Sequence, residues 1–72
     1  MQANEQQIKL WNELRERKDA KAISKIIGLA PQNVSKMIKT GIGTISELAS
    51  INKFYKEKKK IKESLEQDDD LN

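Results

Sequence analysis

The chain contains no cysteine and no histidine. Disulfides are therefore excluded, and with thiols and imidazoles both missing, so are the usual zinc sites. A serine or cysteine nucleophile served by an imidazole base is equally excluded. Catalysis would have to rest on carboxylates, lysines and hydroxyls in a chain of 72 residues, too small for a deep pocket. With no acid–base or metal constellation present, the expectation is a non-enzyme that needs no cofactor. The longest apolar run, Ile26 to Pro31, is far short of the ~20 residues that cross a bilayer, so no membrane partner is expected. The opening "MQANEQQ" is polar and reads as no secretory signal. Absence of thiols fits a reducing compartment, and an intracellular, soluble protein is the expectation.

Charge is plentiful instead, at 35% of residues, with a net charge of +3 and a pI of about 9.3. Its distribution is uneven. Between Arg15 and Lys39 lie seven cations (Arg15, Arg17, Lys18, Lys21, Lys25, Lys36 and Lys39) against only Glu16 and Asp19. The segments on either side each sum to −1. A polyanion-binding surface needs such a concentration, although lysine also serves simply to keep a helix soluble.

Apolar residues recur three or four apart, the helical period, and no strand-like alternation is sustained. Ile8, Trp11 and Leu14 mark one face of a first helix, roughly Asn4 to Lys18, with Asn4 and Gln7 spaced for a capping box. Trp11 is expected in the core. Asp19 reads as the N-cap of a second helix, Ala20 to about Ile27, with Ile23 and Ile27 buried. Gly28 ends it by entering the left-handed conformation. Pro31 suits the first turn of a third helix, whose buried stripe is Val34, Met37 and Ile38. "TGIGT" stops that helix at Gly41. Thr44 and Glu47 then form a capping box for a fourth helix, Ile45 to about Glu66, whose Ile45, Leu48, Ile51 and Phe54 or Tyr55 close the core. The expected fold is all-α, a bundle of about four helices with a long C-terminal one. Residues 1–55 form its core, 56–67 a charged extension, and 68–72 an acidic disordered tail.

A short helix, a tight glycine-bearing turn and a second helix make a helix-turn-helix. The second helix must keep polar groups on the side away from the core, because that side enters the major groove of DNA. Here Ile23 and Ile27 precede Gly28, Leu29 plugs the turn, and Val34 and Met37 pin the second helix. "IIGLAPQNVSKMIKTG", Ile26 to Gly41, resembles the lambda-repressor/Cro-like helix-turn-helix family, with its Gly-aliphatic-x-Pro-Gln-x-Val-Ser-Lys order. The resemblance covers roughly Leu14 to Tyr55. It departs from the family at three points. Ser24 stands where alanine is usual at the helix crossing, and Ala20 where a glutamine often meets a phosphate. The third helix also ends in "IKTG", one residue longer than usual.

The resemblance implies sequence-specific binding of double-stranded DNA, as a homodimer on an inverted repeat, in bacterial or phage regulation. The place of action would then be the bacterial cytoplasm or a phage-infected host. Carried onto this chain, the reading helix is Pro31 to Thr40. Gln32 and Lys36 are the candidates for base edges, Ser35 for a base or a phosphate, and Asn33 for the flank, each otherwise an ordinary solvated residue. Lys21, Lys25, Lys39 and Thr40 would address phosphates, with Arg15, Arg17 and Lys18 as an outer set.

Along the fourth helix, Ile51, Phe54, Lys58, Ile61 and Leu65 follow a heptad-like spacing. Phe54, Ile61 and Leu65 are therefore candidates for dimerisation; the alternative is a solvated helix. In "KFYKEKKKIK" the aromatics either stack on a single strand or finish the core. The rival class is a protein-interaction module or antitoxin-type protein, binding a partner through the C-terminal helix and acidic tail.

Overall fold

Four helices follow one another in the computed structural model, which describes residues 1–71, with side chains through Leu65. They are α1 (Glu5–Leu14), α2 (Asp19–Ile27), α3 (Pro31–Thr40) and α4 (Ile45–Leu71). Both expected capping boxes form. The Gln7 amide donates to Asn4 Oδ1 at 2.8 Å and the Asn4 amide to Gln7 Oε1 at 3.1 Å. At the start of α4, Thr44 and Glu47 exchange the same pair of bonds at 3.0 and 3.2 Å. Each box satisfies two amides that a helix start leaves free. Helix α4 continues to Leu71, past the end near Glu66 that the sequence suggests, so residues 68–71 of the expected disordered tail are helical backbone, and Asn72 lies outside the described residues.

The breaks between helices come from glycine and proline. Gly28 closes α2 at φ 74° and donates its amide to the Ser24 carbonyl at 2.9 Å. Pro31 opens α3 at its first position. Gly41 ends α3 at φ 71°, and there the demand is steric as well. A Cβ at Gly41 would lie 2.5 Å from Ile8 Cδ1.

Trp11, Ile23, Val34, Ile38, Ile51 and Tyr55 are fully buried, joined by Ala3, Met37 and Leu48. Ile8, Leu10, Leu14, Ile27, Leu29 and Phe54 pack around them. The expected faces of α1, α2 and α3 thus hold, and Trp11 donates its indole N–H to Asn52 Oδ1 at 3.3 Å. Ile45 does not join the core. It sits in the first turn of α4, at the edge of a shallow depression lined by Met1, Ala3 and Trp11, and remains exposed.

Helix α1 is shorter than the apolar spacing predicts, ending at Leu14 rather than near Lys18. Arg15 leaves the helix in an extended conformation. The cause lies in Asp19, which is the first residue of α2 and not its N-cap. Its side chain is 2% exposed. One carboxylate oxygen accepts from the Glu16 amide at 2.8 Å and from the Tyr55 hydroxyl at 3.1 Å. Lys58 Nζ donates to both oxygens, at 2.8 and 3.0 Å, and also reaches Glu16 at 2.7 Å. A buried carboxylate must be matched in this way, and folding the turn back onto Asp19 provides the match.

The N-terminus adds a strap that sequence periodicity did not reveal. The Ala3 amide donates to the Gly41 carbonyl at 2.7 Å and the Gly43 amide to the Met1 carbonyl at 3.1 Å. Gln2 Nε2 reaches the Thr40 carbonyl at 3.2 Å. The last turn of α3 is therefore held from outside the helix.

Candidate nucleic-acid interface

Helix α3 is fixed by Val34, Met37 and Ile38, all buried. At about 100° per residue, Gln32, Lys36 and Lys39 then point away from the core along one line. All three are exposed. Asn33 and Thr40 lie on one flank of that line and Ser35 on the other. Lys39, read from the sequence as a phosphate contact, shares the outward line with Gln32 and Lys36. The i, i+4, i+7 spacing of 32, 36 and 39 was the signal available for this.

Ser35 and Thr40 are less free than Gln32 and Lys36. The Ser35 hydroxyl accepts from Arg15 Nη2 at 2.6 Å. The Thr40 hydroxyl donates to the Lys36 carbonyl at 2.9 Å and accepts from the Ile42 amide at 3.3 Å. It closes its own helix end. Asn33 is exposed beside Met37 and Ile42, at the rim of a shallow depression.

Three contacts lay α1 antiparallel along α3. Ile8 faces Gly41, Asn12 Nδ2 donates to the Ile38 carbonyl at 3.1 Å, and Arg15 meets Ser35. The turn from Arg15 to Lys18 consequently stands beside the reading-helix candidate. Arg17, Lys18, Lys21 and Lys25 are exposed, Arg15 half-buried.

The electrostatics of this half of the molecule follow from the Asp19 cluster. Glu16 and Asp19, the two acids between Arg15 and Lys39, are both bound by Lys58. Burial pushes the Asp19 carboxyl up. Lys58, the Glu16 amide and the Tyr55 hydroxyl outweigh it and hold the group below the usual carboxylate range. The hydrogen bond and charge of Lys58 likewise hold Glu16 low. Burial pushes the Lys58 ammonium down, but its bonds to Asp19 and Glu16 leave it above the ordinary lysine range. Burial, then the neighbouring Asp19 charge, raises the Tyr55 hydroxyl. Among the described residues, none of the seven cations from Arg15 to Lys39 makes an ion pair.

The seam read along α4 is only partly available. Ile51 is buried in the core, and Lys58 is committed to Asp19 and Glu16 rather than to a partner helix. Phe54 is half-buried, its ring edge-on to Tyr55 at 5.3 Å. Ile61 and Leu65 remain 62% and 60% exposed. Together with Leu14 they line a groove between the end of α1 and α4, with Glu13 and Lys62 on its rim. No described helix is long and apolar enough to cross a membrane.

Comparison of the chain with protein-family models, curated proteins and solved structures gave no match.

Proposed function

We propose that this chain is a site-specific double-stranded-DNA-binding regulator of the lambda-repressor/Cro-like type, acting as a repressor that occludes a promoter. One observation carries the reading. Gln32, Lys36 and Lys39 form an outward polar line on a helix held by three buried side chains, in a segment whose cations have no internal ion pair among the described residues.

In this reading α3 lies in the major groove. Gln32 pairs bidentately with adenine, and Lys36 donates to guanine O6 and N7, each good pair giving ~1–3 kcal/mol of discrimination. Asn33 touches the flank. Lys21, Lys25 and Lys39 neutralise phosphates, which fixes register and supplies salt-dependent affinity. Two copies associate through the exposed Ile61 and Leu65 of α4 and present their reading helices to half-sites ~34 Å apart. Action on a genome places the protein in the bacterial cytoplasm or a phage-infected host.

Selection from a random duplex pool tests the reading. It should return one short inverted repeat. Gln32→Ala should flatten preference at one or two base positions, whereas Lys25→Ala should weaken all duplexes alike. A pool without a preferred site, or identical behaviour of the two variants, overturns it.

A further inference from the structure

Arg15 is half-buried as a residue, and its guanidinium has no carboxylate within ion-pairing distance among the described residues. Its acidic neighbours Glu16 and Asp19 are both taken by Lys58. A guanidinium carries five N–H donors in a planar fork. Arg15 directs one nitrogen, Nη2, to Ser35 Oγ at 2.6 Å. An arginine held in this way is set up for an anion that the chain does not itself supply.

Its position says which anion. The antiparallel run of α1 along α3 puts Arg15 on the Ser35 flank, beside the outward line of Gln32, Lys36 and Lys39. A helix seated in a major groove meets base edges ahead of it and backbone phosphates at its sides. We infer that Arg15, aimed by Ser35, is a phosphodiester clamp on the wall of the groove that α3 enters. The inference rests on the duplex-binding reading above and deepens it.

Arg15 differs from the surface lysines in being ordered before binding. The turn that carries it is closed by the Glu16 amide on Asp19 Oδ2 at 2.8 Å and the Asp19 amide on the Glu16 carbonyl at 3.1 Å. Little freedom is lost when the ligand arrives, and the planar fork matches a phosphate bidentately, which an ammonium cannot do. Ser35 changes role accordingly. Its hydroxyl positions the arginine instead of reading a base.

The test is equilibrium binding of a labelled random-sequence duplex over a salt series, with melting temperatures recorded for each variant. Arg15→Ala is expected to weaken binding about tenfold or more and to lower the slope of log affinity against log salt by about one. Arg15→Lys should restore the slope without restoring full affinity. Ser35→Ala should weaken binding while leaving the base preference of a selected site unchanged. Should Arg15→Ala melt early, Arg15→Lys carries the decision, because wild-type affinity with lysine contradicts a need for the fork. Wild-type slope and affinity in both variants overturn the clamp alone. A wild-type chain that binds no duplex overturns the reading beneath it as well.

Discussion

Lys36 and Lys58 are the same residue in two opposite situations. Lys36 projects into solvent from α3 with no ion pair among the described residues. Lys58 lies against α2 with its side chain 22% exposed, held by Asp19 and Glu16. One holds the fold together, and the other is free for the contact proposed with DNA. The consequence is larger than either residue. Lys58, from α4, binds both acids of the basic segment, so neither is paired with a cation of that segment among the described residues. Charge that looks mixed in sequence becomes separated in space.

The largest expected effect is on the holding side of this contrast. Asp19→Ala removes a buried carboxylate and leaves Lys58, the Tyr55 hydroxyl and the Glu16 amide without it. A loss of about 3 kcal/mol is expected, visible as a large drop in denaturant midpoint for a domain this small. Lys58→Met should cost somewhat less, about 2 kcal/mol, because Asp19 keeps its two other donors. Lys36→Met should fall within about 0.5 kcal/mol of wild type yet weaken duplex binding. If the two lysine variants lose stability equally, the division of labour between them is wrong.

Acid should dissolve the same cluster. Asp19 and Glu16 are held below their ordinary range in the folded state. Their contribution is complete above the unfolded carboxylate range, about 4, and is lost as pH falls through the lower folded values. Tyr55 and Lys58 are shifted up, so their contribution holds below about pH 10 and declines above it. Stability measured against pH should therefore plateau between these limits, and Asp19→Asn should flatten the acid side. An acid side unchanged by that substitution would place the linkage elsewhere.

A smaller effect separates the two left-handed glycines. Gly41→Ala meets both an unfavourable φ and the Ile8 side chain, while Gly28→Ala meets only the φ, with open space around the new Cβ. Gly28→Ala should cost about 1 kcal/mol and Gly41→Ala measurably more, by thermal melting. Equal costs would mean that Ile8 moves aside freely.

Much of the fold was legible because its signals are local. Gly28, Pro31 and Gly41 break the helices where their backbone chemistry requires, and both capping boxes sit within four residues of sequence. The faces of α3 follow from period alone, so the exposure of Gln32 and Lys36 was readable. What was not readable depends on distant partners. The early end of α1 is dictated by an aspartate whose own partners, Tyr55 and Lys58, are 36 and 39 residues away. The heptad-like spacing of α4 counted Ile51 and Lys58 toward a partner helix, yet both face the monomer. Ser35 reads as a candidate for a base or a phosphate, yet its hydroxyl accepts from Arg15, 20 residues away. Ile45 had the right residue type and the wrong position along its helix.

The most direct measurement follows backbone amide and Gln32 side-chain amide resonances of the labelled protein as duplex DNA is added. Perturbations should concentrate on Gln32, Asn33, Lys36 and Lys39, with Arg15 alongside, while Lys53, Lys56 and Lys60 on the outer face of α4 stay put. Changes centred on α4, with the outward line of α3 untouched, would contradict the reading helix assigned here.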